Sequence, residues 1–300
     1  MLPLTSLAAD GPRLSPIVAG VWRMAYWGWS AQERLRWIEQ SVELGVTSFD
    51  HADIYGGYSV EALFGEALAL ASPSLRQRLQ IVSKCGIKLV TPARPEHRIK
   101  HYDTTAAHII ASAETSLRAL GVERLDLLLV HRPDPLMDAD EVAGAFAALR
   151  DAGKVAHFGA SNFAPATFEL LASRFPLSTN QIELHPLHRA PFSDGTLDQL
   201  QRLRIRPMIW SPLAGGALLS GDGEAERRVQ AALARVAGRH GCTAATVAFA
   251  WLLRLPSRPL PVAGSRRIEA LRDAVAALQL TLSAQDWAEI WQAAAGRELP

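Results

Sequence analysis

Four residues of this 300-residue chain have side chains whose combination could move a proton to or from a substrate: Asp50, Tyr55, Lys84 and His131. A tyrosine is a poor acid at neutral pH because its free pKa is about 10. A nearby ammonium favours the phenolate and lowers that pKa, and a carboxylate beside the lysine would hold the ammonium in place. A histidine can polarise a substrate oxygen through a ring N–H. Together the four residue types predict a site for proton transfer.

Short apolar stretches typical of buried parallel strands recur along the chain, each followed by a longer helical pattern. The predicted strands lie near Ile17–Val21, Val46–Phe49, Ile81–Ser83, Leu125–Val130, Val155–Gly159, Thr179–Ile182, Arg206–Trp210 and Leu260–Val262. The predicted helices lie near Ala31–Leu44, Glu61–Leu70, Thr105–Leu120, Ala139–Ala152, Pro165–Ser173, Asp194–Leu203, Glu224–Arg239 and Arg267–Leu278. This alternation predicts an α/β fold, the (β/α)8 TIM barrel. The alternative, a doubly wound sheet, usually carries G-x-G-x-x-G after its first strand, which this chain lacks.

Three segments stand outside the repeat. Residues 1–13 precede the first strand and contain a turn, which predicts a short N-terminal hairpin. Residues 242–255 and 283–296 are predicted to be extra helices. Because no linker rich in Pro, Gly or Ser divides the chain, we expect residues 1–300 to form a single barrel domain.

Polar residues stand where several predicted strands end. Asp50, Lys84 and His131 follow the second, third and fourth strands, and Tyr55 lies five residues beyond Asp50. Further polar or aromatic residues at later strands are Ser161, Asn162, Gln181, Trp210 and Ser211. Catalytic residues of TIM barrels come from the carboxyl ends of the strands and the loops after them. The sequence therefore predicts that all of these side chains meet at one mouth of the barrel.

The segments that carry these residues have a familiar order and spacing. They are FDHADIYG at 49–56, IVSK at 81–84, DLLLVH at 126–131, FGASNF at 158–163 and WSPL at 210–213. They resemble the aldo-keto reductases, and the resemblance covers almost the whole chain. HRPDP at 131–135 and GKVAHFG at 153–159 resemble a bacterial subgroup of predicted oxidoreductases in that family.

The resemblance implies NADPH-dependent reduction of aldehydes or ketones to alcohols by reversible hydride transfer. By analogy, Tyr55 would donate the proton, Lys84 and Asp50 would tune its acidity, and His131 would hydrogen-bond the carbonyl oxygen. An alternative is a non-catalytic NADP(H)-binding regulatory subunit, similar to the potassium-channel β-subunits of this family. A metal-dependent barrel hydrolase is a remote alternative, since the His-x-His expected at the end of its first strand is absent.

The resemblance also implies which residues contact the cofactor and the substrate. The implied cofactor contacts are Gly20, Val21, Trp22, Asp50, Ser161, Asn162, Gln181, Trp210, Ser211, Leu213, Gly215, Gly216, Ser265, Arg266 and Arg267. Arg266 and Arg267 could bind an adenosine 2′-phosphate, which favours NADP over NAD. Aromatic residues after the first strand predict a substrate wall, which together with Tyr55 and His131 gives the set Trp22, Tyr26, Trp27, Trp29, Tyr55 and His131.

Some positions depart from the family pattern. The segment from Tyr55 to Glu61 is about two residues longer than usual, and His51 replaces a small residue. Gly264 and Ala274 stand where lysine and asparagine are common in the family. These departures leave the shape of the Tyr55 loop and the contacts to the adenosine open.

Composition restricts the class of partner. The net charge is +1, so no basic field is available for a nucleic acid or an anionic membrane. The longest apolar run, 244–253, is shorter than the roughly 20 residues that span a bilayer. Two cysteines and an N-terminus without a basic region indicate a cytoplasmic protein with no disulfide framework and no metal site. We expect a small-molecule carbonyl substrate and, for the oligomeric state, a monomer.

Overall fold

Eight parallel strands close into a barrel in the computed structural model, which describes residues 2–299. The strands in chain order are β1 (Thr5–Ser6), β2 (Arg13–Leu14), β3 (Val18–Gly20), β4 (Ser48–Asp50), β5 (Gln80–Cys85), β6 (Ile87–Lys88), β7 (His101–Tyr102), β8 (Leu125–Val130), β9 (Val155–Ser161), β10 (Asn180–Glu183), β11 (Met208–Trp210) and β12 (Leu260–Ala263). The α-helices are α1 (Ala31–Glu43), α2 (Val60–Ala69), α3 (Pro73–Arg76), α4 (Ala106–Leu120), α5 (Ala139–Asp151), α6 (Pro165–Ala172), α7 (Thr196–Leu203), α8 (Ala217–Ser220), α9 (Glu224–His240), α10 (Ala244–Leu253), α11 (Ile268–Ala276) and α12 (Ala284–Ala295). Short 3-10 turns lie at Met24–Tyr26, Ala190–Phe192, Ala214–Gly216 and Ala277–Gln279.

The barrel follows the order of the chain. Its strands are β3, β4, β5, β8, β9, β10, β11 and β12, each paired in parallel with the next, and β12 closes the barrel against β3. The register sets Gly20 opposite Asp50, and Lys84 opposite Leu129. The predicted (β/α)8 TIM barrel is therefore confirmed.

Side chains of β8 alternate between the barrel interior and the surrounding layer of helices. Leu127 and Leu129 lie in the interior cluster with Val82, whereas Leu128 and Val130 belong to the cluster between strands and helices. Both faces of the strand are buried, which explains why its sequence is apolar almost without interruption.

The N-terminal hairpin closes one end of the barrel. β1 and β2 pair antiparallel, and Leu7 and Leu14 are fully buried in the interior cluster. The backbone N–H of Arg206, just before β11, donates to the carbonyl of Leu7 at 2.8 Å. The hairpin thus covers the amino ends of the strands, and the carboxyl ends are left for a site.

The predicted strands and helices occur where expected, with ends displaced by at most two residues. β5 reaches Cys85, two residues beyond the predicted end, so Lys84 lies inside the strand. The small antiparallel sheet of β6 and β7 was not predicted, because two-residue strands such as Ile87–Lys88 and His101–Tyr102 show no periodicity. This sheet lies beside the mouth, immediately after β5.

The helices between β11 and β12 are arranged differently from the prediction. The helix in the predicted repeat was Glu224–Arg239, but α10 is the one that contacts β12, while α9 contacts α10 and α12. The physical reason is polarity: α10 is apolar on all sides and must be buried, whereas α9 carries charges on one face. Trp251 of α10 stacks on Trp287 of α12 at 4.9 Å, and each indole N–H donates to the other residue's carbonyl at 3.1 Å.

Candidate active site

Lys84 is the centre of a buried hydrogen-bond network. Its ammonium donates to Asp50 Oδ2 at 2.7 Å, to the carbonyl oxygen of His51 at 2.7 Å and to the phenolic oxygen of Tyr55 at 3.0 Å. The side chain of Lys84 is 1% exposed and that of Asp50 is 4% exposed. An ammonium has three N–H donors, and all three have a partner here. The network therefore fixes the position of the charge directly behind the tyrosine.

Neighbouring strands and one tight turn bring these residues together. Asp50 ends β4, and Lys84 lies near the end of the adjacent β5. Tyr55 lies in the loop after β4, which turns through Gly56 and Gly57 with φ of 60° and 65°. A Cβ at Gly56 would come within 2.7 Å of the Ala25 side chain, so this position requires glycine.

The pKa of Tyr55 departs from the simple expectation. Burial raises the pKa of Tyr55, the ammonium of Lys84 lowers it, and the sum is a pKa above the ordinary value. Burial acts to lower the pKa of Lys84, but Asp50 and Tyr55 outweigh it, and that pKa is raised. The expectation of a lowered tyrosine pKa is therefore wrong for the protein alone, because desolvation exceeds the effect of the lysine. Tyr55 is a protonated phenol held beside a protonated lysine.

His131 directly follows β8 at the same mouth. Burial and the charges of Lys84, Arg132 and Lys100 lower the pKa of His131 well below its ordinary value, so the ring is neutral. Its ring lies 6.0 Å from the Tyr55 ring at an angle of 78°, and Nδ1 is buried without a hydrogen-bond partner. A neutral imidazole beside the phenol can donate one N–H to an oxygen in the mouth without carrying charge.

A cavity of about 600 Å³ opens at this mouth. Among the residues predicted to form the site, it is lined by Gly20, Trp22, Tyr26, Asp50, Tyr55, His131, Ser161, Asn162, Gln181, Trp210, Ser211, Leu213, Gly215, Gly216, Ser265 and Arg267. Lys84 stands behind Tyr55, Val21 is buried in the core, and Arg266 is exposed outside the lining. The structure thus brings most of the predicted residues to one surface.

The predicted aromatic wall is smaller than expected. Trp22 and Tyr26 line the cavity, but Trp27 and Trp29 do not. The ring of Trp27 packs against Trp29 at 4.8 Å and against Trp37 at 5.1 Å. Both indoles pack against the hydrophobic core, and Trp37 belongs to α1.

Amide and hydroxyl groups on one side of the cavity are held in place by hydrogen bonds to neighbouring side chains. Gln181 Nε2 donates to Asp50 Oδ1 at 2.8 Å, and Trp210 Nε1 donates to Asn162 Oδ1 at 2.8 Å. Asn162 Nδ2 donates to Ser161 Oγ at 2.8 Å. Asn162 and Ser211 have positive φ of 60° and 50°, a strain typical of functional sites. These residues offer a flat indole and an array of polar groups to a planar ring that carries an amide.

The far end of the cavity has the features of a phosphate-binding site. Ala214, Gly215 and Gly216 have φ of 52°, 67° and 112°, and nothing lies within 4 Å of a Cβ built on Gly216. A backbone without side chains admits a ligand closely. Arg267, the N-cap of α11, lines the cavity, and its backbone N–H donates to Ser265 Oγ at 3.1 Å. The residues therefore fit a dinucleotide that runs from Trp210 to Arg267.

Sequence reasoning missed two cations at the catalytic end. Arg132 and Lys100 line the cavity together with Tyr55 and His131. Arg132 could have been noticed because it follows His131 directly at a strand end, within a segment already quoted for the family. Lys100 lies before β7, whose sheet was not predicted, and no local pattern marks it.

Two buried carboxyl groups lie beneath the Tyr55 loop. Burial raises the pKa of Asp53 to about 7, and it also raises the pKa of Glu61. Ser112 Oγ donates to Asp53 at 2.7 Å, and Ser83 Oγ donates to Glu61 at 2.5 Å. Asp53 Oδ1 has no partner, so this carboxyl is stabilised in its protonated form.

Within residues 2–299 no group of three or more His, Cys, Asp or Glu residues is arranged to hold a metal ion. No helix there is long and apolar enough to cross a membrane.

Comparison with known proteins agrees with this fold. The model of the Aldo/keto reductase family matches residues 16–295. The oxidoreductase YdhF of Escherichia coli is 53% identical, with both chains covered over 100% of their length. A 6-dehydroglucose reductase of Agrobacterium fabrum is 45% identical, over 97% of this chain and 98% of that protein. The structure of a glycerol dehydrogenase of Gluconobacter oxydans has a TM-score of 0.85 at 22% identity, covering 98% of this chain and 95% of that one.

A parallel barrel with convergent polar side chains at its carboxyl mouth defines a TIM-barrel enzyme. This chain belongs to the Aldo/keto reductase family, a family of oxidoreductases.

Proposed function

We propose that this protein reduces aldehydes or ketones to alcohols with NADPH as the hydride donor. The observation that carries the proposal is the Lys84 ammonium, hydrogen-bonded to both Asp50 and Tyr55 at the floor of a cavity that fits a dinucleotide. We also propose that residues 1–300 form a single barrel domain. A reductase named for a sugar aldehyde among the relatives supports a carbonyl substrate.

The proposed cofactor residues divide into three groups along the cavity. Ser161, Asn162, Gln181 and Trp210 would hold the nicotinamide, and the indole of Trp210 can stack on a flat ring. Gly20, Ser211, Leu213, Gly215 and Gly216 would lie along the pyrophosphate. Ser265, Arg266 and Arg267 would take the adenosine 2′-phosphate, because a guanidinium pairs with a phosphate through two hydrogen bonds.

The bound cofactor would supply the hydride, and the protein's own residues would supply the proton. Tyr55 keeps its proton at neutral pH and can donate it to an alkoxide forming at the mouth. The ammonium of Lys84 would then stabilise the phenolate at 3.0 Å, while Asp50 keeps the ammonium charged. His131 would orient the carbonyl oxygen by donating from its neutral ring.

The location that suits this function is the cytoplasm, where NADPH is kept reduced. Cys85 is buried, and neither Cys85 nor Cys242 forms a disulfide in the part of the chain that the structure describes. Free thiols fit a reducing compartment.

The proposal is tested by adding NADPH and a reactive aldehyde, 4-nitrobenzaldehyde, to the purified protein and following the loss of the reduced nicotinamide absorbance. We expect turnover, and we expect NADPH titration to quench the fluorescence of Trp22 or Trp210 at the cavity. NADPH binding without turnover of any aldehyde or ketone in a broad carbonyl panel would instead support the non-catalytic regulatory subunit. Absence of NADPH binding would contradict both functions.

A further inference from the structure

The charges that line the catalytic half of the cavity are unbalanced. Its ionised side chains include Arg132 and Lys100, whereas the one carboxylate in the lining is Asp50. Both oxygens of Asp50 are already occupied, one by Lys84 at 2.7 Å and the other by Gln181 at 2.8 Å. Asp50 therefore cannot neutralise the two cations at the mouth.

Arg132 and Lys100 also lack partners elsewhere. Among residues 2–299, no carboxylate lies within 4.0 Å of either side chain, and neither makes a hydrogen bond to the protein. The Arg132 guanidinium lies 5.6 Å from the centre of the Trp210 ring, a cation–π distance that leaves its N–H groups free. Arg23, another lining cation, is different because it donates to the Gly215 carbonyl at the opposite loop.

The two cations lie close enough to the proposed catalytic side chains to change their pKa values. Both contribute to the lowered pKa of His131, and Arg132 also acts on Tyr55. Arg132 directly follows His131 after β8, and Lys100 directly precedes β7, so they reach the mouth from different loops. Arg267, by contrast, belongs to the loop after β12 at the far end. The dinucleotide phosphates therefore have their own cation, separate from this pair.

We propose that Arg132 and Lys100 select carbonyl substrates that carry an anionic group, a carboxylate or a phosphate, a few atoms from the carbonyl carbon. The proposal rests on the reductase function proposed above and names its substrate class. The guanidinium of Arg132 would bind the anion through two hydrogen bonds, and Lys100 would add a point charge from the rim. The apolar faces of Trp22, Ile87 and Leu89 would cover the part of the substrate between the anion and the carbonyl.

A pair of aldehydes that differ in the charge of the para substituent tests the proposal. The probes are 4-carboxybenzaldehyde, which is an anion at neutral pH, and methyl 4-formylbenzoate, its neutral ester. We expect the wild-type protein to have a kcat/KM about tenfold or more higher for the anion, since a charge-assisted bond contributes about 1.5–3 kcal/mol. The preference should shrink as salt is added, because the contact is near solvent.

Variants assign the preference to Arg132. Arg132→Met should lower kcat/KM for the anion about tenfold more than for the ester, because only the anion loses the charged contact. Arg132→Lys should keep part of the preference. Arg98→Met, an exposed arginine outside the cavity lining, is the control for a loss of net charge and should change neither substrate.

The outcomes separate the two proposals. Turnover of both aldehydes without preference, or an equal loss of both in Arg132→Met, overturns the anionic substrate class and leaves the reductase function standing. A weaker Kd for NADPH in Arg132→Met that accounts for the whole loss also overturns it, because Arg132 would then serve the cofactor. No turnover of 4-carboxybenzaldehyde by wild-type protein that reduces 4-nitrobenzaldehyde overturns the anionic substrate class alone, whereas no turnover of any carbonyl compound in the broad panel overturns the reductase function and this inference with it.

Discussion

The ammonium of Lys84 lies 3.0 Å from the phenolic oxygen of Tyr55, although the two residues are 29 positions apart in the chain. The contact exists because β4 and β5 are neighbours, and the loop after β4 folds back over the end of β5. In the protein alone, burial still raises the pKa of Tyr55, so the phenol holds its proton until a base forms beside it. A buried acid with an adjacent positive charge is suited to deliver one proton to an alkoxide.

Lys84→Met should reduce kcat by about a hundredfold or more, in line with the loss of assisted proton transfer. It should also destabilise the fold by about 3–5 kcal/mol, because Asp50 then keeps a buried charge without a partner. Steady-state kinetics and urea unfolding measure the two effects. Lys154→Met is the matched control, since Lys154 pairs with Glu114 at the surface and such a pair contributes less than about 1 kcal/mol. Wild-type kcat in Lys84→Met would contradict the role given to the ammonium.

Arg267→Ala should weaken NADPH binding about tenfold or more while changing NADH binding little, because the two cofactors differ by the 2′-phosphate that a guanidinium can hold. Fluorescence titration with each cofactor gives both Kd values. Arg272→Ala removes a charge from the same helix without touching the cavity and should change neither Kd. An equal increase in the Kd for NADPH and for NADH in Arg267→Ala would show that Arg267 does not bind the 2′-phosphate.

The buried carboxyl of Asp53 should make the protein less stable as the pH rises. Its pKa is raised from 3.8 to about 7, so the folded state binds a proton that the unfolded state releases between those values. The contribution of Asp53 to the free energy of unfolding should therefore fall between about pH 4 and pH 7, since a contribution rises with pH only where the unfolded state binds more protons. Asp53→Asn should reduce this slope, measured by urea unfolding across that range. Glu61, whose pKa is also raised by burial, contributes a pH dependence of stability with the same sign, and this residue is not changed in the variant. An unchanged slope in Asp53→Asn would refute the assignment.

His51 should act in the opposite direction. Burial lowers its pKa to about 3, and neither ring nitrogen has a hydrogen-bond partner. The folded state excludes a proton that the unfolded state binds below about pH 6.5, so the contribution of His51 to stability is lost as the pH falls below that value. The ring packs edge-on against Phe64 at 4.5 Å, and a leucine is an apolar replacement there. His51→Leu should remove this contribution between about pH 6.5 and pH 4, and a pH profile identical to that of wild type would contradict the assignment.

Much of the fold and of the site could be predicted because the information is local. An apolar run such as Leu125–Val130, ending in a polar residue, indicates both a buried strand and a candidate for the mouth. The order of such runs was enough to place Asp50, Lys84 and Trp210 near one another.

The remaining features depend on three-dimensional packing. Whether Trp27 faces the mouth or the core depends on its packing against Trp29 and Trp37, which its position in the sequence does not report. The pKa of Tyr55 depends on the depth of burial, which spacing along the chain does not report. Lys100 reaches the cavity from a loop held by two-residue strands, which are too short for a periodic pattern.

The central claim is that Tyr55 donates the proton, and Tyr55→Phe tests it most directly. The substitution removes one oxygen and leaves the ring, the Lys84–Asp50 pair and the cavity in place. The measurement is the single-turnover rate of NADPH oxidation with 4-nitrobenzaldehyde, alongside the Kd for NADPH. We predict a rate about 10²–10⁴-fold below wild type, the range for loss of a general acid, with an unchanged Kd. A rate close to that of wild type, with NADPH bound, would contradict the account.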